Sequence, residues 1–209
     1  MTIMRTGLGD IATHGFGELT IDADPRLLQP RSWTVVQATW AEQLLATAPP
    51  GAVLDLCCGA GQIGLLVAHR TGRRLVAVDH DPVAVAQTRE NAVRAGLAER
   101  IEVRCCGVES ALDASESFAA IIADPPWVTH AEVTRFPEDP PGAIDGGSDG
   151  LGIARRCVEA MAQHLRPGGH GLLQLGSRSQ AWALDIPKAL TRKEIRTYDR
   201  GCLMRLDRR

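Results

Sequence analysis

Ala52-Val53-Leu54-Asp55-Leu56-Cys57-Cys58-Gly59-Ala60-Gly61-Gln62-Ile63-Gly64 decides the fold. Ala52 to Leu56 is an apolar run of strand length, and Gly59 to Gly64 makes a tight loop that opens a helix from Ile63 to His69. A second strand, Leu75-Val76-Ala77-Val78-Asp79, follows, and then a helix from Pro82 to Arg94, with Pro82 in its first turn and Gly96 past its end. Ile101 to Arg104 and Phe118 to Ala123 read as the third and fourth strands. This alternation predicts an α/β fold: a mostly parallel sheet with helices on both faces.

The loop has the G-x-G-x-x-G spacing that lets backbone approach a ligand and aims a helix N-terminus at it. Asp79, at the end of the second strand, is placed to bond ribose hydroxyls, as any adenosine-ribose cofactor requires. The competing reading is a plain strand-to-helix turn in which Asp79 only caps.

The fourth strand runs into Asp124-Pro125-Pro126-Trp127. Two prolines cannot donate to a ladder and fix φ near -65°, so they end the strand and freeze the backbone beyond it. Asp124 and the Pro125 carbonyl are acceptors and Trp127 offers a π-face, a set suited to gripping a planar group that bears NH2. Asp124 is expected to orient that nitrogen and not to deprotonate it, because a carboxylate near 3.9 is a weak base at neutral pH. The competing reading is a strand end followed by a core tryptophan.

Outward from this centre the signals thin. Met1 to Pro30 has no helical period, and only Glu18 to Asp22 alternates like a strand. Ser32 is expected to cap a helix over Trp33 to Thr47, with Val36, Trp40, Leu44 and Leu45 on one face, ended by Pro49-Pro50. The chain thus divides into an extension, 1–48, and a main domain, 49–209. Val128 to Gly150 is irregular and long enough to be functional or mobile. Asp149 should cap a helix over Leu151 to Leu165, which Pro167-Gly168-Gly169 breaks before a fifth strand, Gly171 to Leu175. A helix from Ser179 to Leu190, interrupted by Pro187, and two strands within Glu194 to Leu206, turned at Asp199-Arg200-Gly201, complete the reading.

With 209 residues and a net charge of -2, the chain has no global basic field, which counts against non-specific contact with nucleic acid. No run approaches 18 apolar residues and Met1 to Asp10 lacks a signal-peptide core, so a cytoplasmic protein without membrane contact is expected. Cys57-Cys58, Cys105-Cys106, Cys157 and Cys202 contain no C-x-x-C and read as reduced side chains; the alternative is that the two pairs meet in a metal or redox site. His80 and His130 are candidate cofactor and substrate contacts by position. The basic run Arg192, Lys193, Arg196, Arg200, Arg205, Arg208 and Arg209 reads as a solvated face, with RNA phosphates as the alternative.

Asp55, four residues before Gly59, together with Asp-Pro-Pro-Trp at the fourth strand, resembles the Rossmann-like class I S-adenosylmethionine-dependent methyltransferases. Within them the chain resembles the HemK/PrmC-like (methyltransferase small domain) family. Asp24-Pro25-Arg26-Leu27-Leu28-Gln29-Pro30-Arg31-Ser32-Trp33-Thr34 aligns with that family's segment before the domain, and Gly146-Gly147-Ser148-Asp149-Gly150-Leu151 repeats its Gly-Gly-x-Asp-Gly-Leu. The family's Asn and Tyr are here Asp124 and Trp127, its upstream Pro-Glu is Ser32-Trp33, and Gly107-Val108 stands where an acid that touches adenine is expected.

The resemblance implies a seven-stranded sheet with an antiparallel C-terminal strand, and S-adenosyl-L-methionine as cofactor with S-adenosyl-L-homocysteine as product. It implies cofactor contacts at Asp55, Cys57, Gly59, Gly61, Gln62, Asp79, His80 and Asp124. Asp124, Pro125, Pro126 and Trp127 would be catalytic, with no metal and no covalent intermediate. The implied activity is N-methylation of a planar amide or amino nitrogen on a protein side chain, such as glutamine, or on a small molecule. The alternatives are an rRNA/tRNA or DNA base N-methyltransferase and a non-catalytic cofactor-binding module.

Overall fold

The structure, a computed structural model, describes residues 10–209. Readings that rest on Met1 to Gly9 lie outside the described residues. In chain order the elements are β1 (Ala12–Phe16), β2 (Leu19–Ala23), α1 (Val35–Leu45), β3 (Val53–Leu56), α2 (Gln62–Thr71), β4 (Leu75–Asp79), α3 (Pro82–Arg94) and β5 (Ile101–Cys105). They continue with β6 (Phe118–Ala123), α4 (Pro141–Ile144), α5 (Gly152–His164), β7 (Leu165–Leu175), α6 (Arg178–Ala183), β8 (Leu190–Thr197) and β9 (Cys202–Arg208).

β1 and β2 form a separate antiparallel hairpin, and the main sheet is ordered β5-β4-β3-β6-β7-β9-β8. Neighbours from β5 to β7 are parallel, while β9 runs antiparallel to β7 and β8. This is the expected Rossmann-like sheet. Side chains alternate across it, so Ile122 packs with α1, α2 and α3 on one face, and Ile121 packs with α5 and α6 on the other. Phe16, Ile21 and Trp40 share the first of these cores with Leu65 and Leu66, so the hairpin and α1 are built into the body of the fold.

Four local expectations need correction. β1 escapes the pattern because Ala-Thr-His-Gly-Phe has no apolar run and buries fully only Phe16. Ser32 does not cap α1; it sits inside a 3-10 turn, Ser32–Thr34, from which the helix continues without a side-chain cap. Pro167-Gly168-Gly169 does not separate a helix from a strand but bulges within β7, where the register jumps from Phe118↔Leu165 to Ala120↔His170. Finally, α6 stops at Ala183, well short of Leu190. A proline at 187 would clash with the carbonyl of residue 183 in a continued helix, and Leu184 turns extended and buries its side chain instead.

Candidate active site

The acidic residues Asp55, Asp79 and Asp124 come together at the carboxyl edge of β3, β4 and β6, where open α/β sheets bind ligands. The loop after β3 turns through three residues with positive φ, Cys57 (+61°), Gly59 (+56°) and Gly61 (+82°), and Cys57 is the one non-glycine so placed among the described residues. Gly61 must lack a side chain on two counts: its left-handed backbone, and Thr88 Cγ2 at 2.8 Å from where a Cβ would stand.

Asp79 Oδ2 accepts from Gly59 N at 2.9 Å and Oδ1 from Asp81 N at 3.0 Å. Those two bonds leave about half of an ionised carboxylate's acceptor sites for a ligand. Asp55 is 2% exposed and its Oδ2 accepts from Gly64 N at 3.0 Å. Burial pushes the Asp55 carboxyl well up, the Gly64 bond opposes this, and the charges of Asp124 and Asp79 add to the rise.

Support for the loop comes from α3, which sequence reasoning missed. Thr88 Oγ1 donates to Gly59 O at 2.9 Å, and Asn91 Nδ2 donates to Ala60 O at 2.9 Å and to Asp22 O at 2.8 Å. The available signal was three polar residues, Gln87, Thr88 and Asn91, on the face of α3 that also buries Ala84, Val85 and Ala92.

A cleft of about 600 Å³ opens over this edge. Asp55, Cys57, Gly59, Gln62, Asp79, His80, Asp124 and Pro126 line it, whereas Gly61, Pro125 and Trp127 do not. Gly61 lies beneath the loop against Thr88. Pro125 is buried, and the Trp127 ring packs against Gly176, where an added Cβ would stand 2.3 Å from Cε3. Trp127 is therefore a half-buried shoulder beside the cleft.

Asp124 is different from the other two acids. Its carboxylate accepts no hydrogen bond from the described residues, and burial in the recess pushes it up to about 7. Desolvation thus holds this carboxyl above the ordinary carboxylate range assumed from the sequence.

Glycines clamp the motif that follows. A Cβ on Gly146 would stand 2.7 Å from Pro126 O, and one on Gly150 would stand 2.3 Å from Trp127 O. Gln180 Nε2 closes the clamp, donating to Trp127 O at 2.9 Å and to Asp149 O at 3.3 Å. Asp149 Oδ1 accepts from Leu151 N at 3.0 Å, which turns the backbone ahead of α5, but it does not cap the helix as expected: the N-cap is Leu151 and no side chain bonds the first turn. Beneath the strand end, buried Gln37 of α1 donates to Ala123 O at 3.1 Å.

The irregular stretch after Trp127 is a folded strap. Val128 N donates to Ile144 O and Gly146 N to Val128 O, and Pro140, Gly142, Ala143 and Asp145 form one wall of the cleft. Arg26 to Leu28 form another wall, and Arg31 ties the two together through Asp139 at 2.5 Å. Glu109 and Arg156 line the cleft as an ion pair, so an acid does occur after β5, beyond Gly107-Val108. His80 is at the rim, 3.4 Å from Asp79. His130 does not line the cleft but bonds Asp145 at 2.6 Å.

The two cysteine pairs do not meet. β4 lies between their strands, the Cys58 thiol is 3.6 Å from Thr88 Oγ1, and the Cys57 thiol, raised by a hydrogen bond to Cys157 and by burial, turns to α5. All six thiols are free. Among the described residues no group of three His, Cys, Asp or Glu side chains could hold a metal. No described helix is long and apolar enough to cross a membrane.

The cradle fits a nucleoside with a short chain attached: Gly59 has open space where a Cβ would be, and Asp79 keeps free acceptor sites beside it. This sheet order, with the glycine loop after β3 and Asp-Pro-Pro-Trp after β6, is the Rossmann-like arrangement expected from the sequence.

Residues 39–137 match the family model described as Methyltransferase small domain. A release factor glutamine methyltransferase of Caulobacter vibrioides is 30% identical over 205 residues, covering 92% of this chain and 71% of that one. One of Gloeobacter violaceus is 31% identical over 165 residues, covering 76% and 57%. The crystal structure of an RNA methyltransferase from Salinibacter ruber in complex with S-adenosyl-L-homocysteine aligns with a TM-score of 0.57 at 17% identity. That alignment covers 86% of this chain and 92% of the other, and shows the fold alone. The chain belongs to the release factor glutamine methyltransferase family. It spans little more than half the length of several of these curated relatives, 54% and 57% in two cases.

Proposed function

We propose that this chain is an S-adenosylmethionine-dependent N-methyltransferase whose acceptor is a planar amide nitrogen of a protein side chain, glutamine first. The observation that carries the reading is Asp124: a recessed carboxylate without a donor among the described residues, beside a glycine loop whose other acids are already bonded. An acceptor of that kind, left unpaired in the fold, suits a ligand N-H.

When bound, the cofactor supplies a methyl group on a sulfonium and leaves as S-adenosylhomocysteine. Asp79 would take the ribose hydroxyls, with Gly59, Cys57 and Gln62 along the chain of the ligand and His80 at its rim. Gly61 acts through the loop's shape, as does Asp55, which holds the start of α2. Asp124 and the Pro125 carbonyl would orient the acceptor nitrogen, and near neutral pH Asp124 can also receive its proton. Pro126 and Trp127 keep that geometry through the glycine clamp.

The nucleic-acid reading is favoured by one observation, an Asp at 124. Of the C-terminal cations, Arg196 lies over Trp40 at 3.8 Å and bonds Glu194, and Arg205 bonds Asp207 at 2.7 Å, so part of the basic run is paired within the fold, while Lys193, Arg200 and Arg209 are exposed. We also propose 1–48 as an extension, which closes the first core from Phe16 onward, 49–209 as the cofactor domain, and a cytoplasmic location. The test is incubation with labelled S-adenosylmethionine and either a bacterial peptide release factor or tRNA. Label on a release-factor glutamine, located by mass spectrometry, supports the reading; label on tRNA alone overturns it.

A further inference from the structure

We propose that Gln37 and Gln180 are positioning residues for methyl transfer, their side-chain amides fixing the backbone on either side of Asp124-Pro125-Pro126; this deepens the reading above and rests on it. Pro125 and Pro126 have no N-H to donate, so the backbone there has lost two of the donors that ordinarily tie a strand end down. Two glutamines supply donors from outside. Gln37 Nε2, from α1 on one face of the sheet, donates to Ala123 O at 3.1 Å and to Leu172 O of β7 at 3.4 Å. Gln180 Nε2, from α6 on the other face, donates to Trp127 O at 2.9 Å and to Asp149 O at 3.3 Å. Each amide ties a carbonyl that flanks the motif to a neighbouring segment, one just before Asp124 and one just after Pro126.

The orientation of both amides is fixed, because turning either over would set its Oε1 against two carbonyl oxygens. So oriented, Gln37 Oε1 and Gln180 Oε1 are buried without a partner among the described residues. Half-satisfied amides of this kind are uncommon in native interiors. Four buried side-chain atoms are left unpaired among the described residues, and a third belongs to Gln62 of the cleft wall, so they gather around the site. Gln37 is 1% exposed, and its oxygen gives up hydration with no protein bond in return. Leucine in its place would leave one carbonyl unbonded but also remove that oxygen, two effects on stability that oppose each other. Position is where the amides matter, since a displacement of about 1 Å at a reacting group can cost about a hundredfold in rate.

The experiment compares Gln37→Leu and Gln180→Leu with the wild type in steady-state methylation, using whichever of a purified bacterial release factor or tRNA the wild type labels. The expected result is a kcat lowered about tenfold to a hundredfold in each variant, the scale of a small misplacement of the reacting group. S-adenosylhomocysteine affinity, measured by calorimetry, should be unchanged, and the urea midpoint should stay close to that of the wild type. Gln180 is only half-buried, so its variant carries the test if Gln37→Leu does not fold. An unchanged kcat in both variants, with the wild type active, overturns the assignment and leaves the methyltransferase reading standing. Equal losses of kcat and S-adenosylhomocysteine affinity, or a kcat loss matched by a lowered urea midpoint, show a general loosening of the fold and overturn it too. A wild type that labels neither acceptor overturns the N-methyltransferase reading, and this assignment with it.

Discussion

The two halves of the sheet edge end in the same residue type and treat it in opposite ways. On the β3–β4 side, Asp55 and Asp79 each accept backbone N-H bonds from the loop they organise, at 2.9 to 3.0 Å. On the β6 side, Asp124 accepts none from the described residues, while the backbone just beyond it is clamped by Gly146, Gly150 and Gln180. A bonded carboxylate shapes the protein; an unbonded one at the end of a rigid support is available to a ligand. The contrast separates a half that builds a cradle from a half that presents one acceptor group.

The contrast breaks most visibly if the free acid is removed. Asp124→Ala should lower the methyl-transfer rate by about 10³-fold, the scale of losing a preorganised polar group aimed at the reacting centre. Radiometric methylation of the release factor reads this, and a loss under tenfold would make Asp124 dispensable. On the other half, Gly64→Ala should cost stability first. Its Cβ would stand 2.5 Å from Asp55 Oδ2, and the buried pair has no room to yield. A loss of about 2–3 kcal/mol in urea unfolding is expected, as for overpacked core sites.

A smaller effect sharpens the comparison through pH. With Asp124 near 7 the ionised acceptor is the active form, so kcat/KM should rise about tenfold per pH unit below 7 and level off above it. Asp124→Asn, which installs the residue that the family carries, cannot titrate and should give a flat profile across pH 6 to 8. A rising profile in that variant would move the titration to another group.

The cofactor half was legible in the sequence almost residue by residue. Parallel strands buried on both faces read as apolar runs, and a glycine loop writes its constraints into side chains that must be absent. The acceptor half was legible in its motif and misread in its geometry. Trp127 looked like a stacking platform, yet Gly176 gives its ring a resting place outside the cleft, a contact 49 positions away that no local pattern encodes. The perturbed carboxyl of Asp124 was hidden for a similar reason, since desolvation depends on what the strap and the upstream segment bring over it. Thr88, Asn91 and Gln180 were missed because one polar side chain on a helix does not announce which carbonyl it will meet.

The measurement that bears most directly on the division between the two halves is calorimetric titration with S-adenosylhomocysteine of wild type, Asp124→Ala and Asp79→Ala side by side. Asp79→Ala should weaken binding about tenfold or more, consistent with loss of hydrogen bonds to a charged acceptor, while Asp124→Ala stays within about threefold of wild type. Equal loss in both variants, or loss confined to Asp124→Ala, would contradict it.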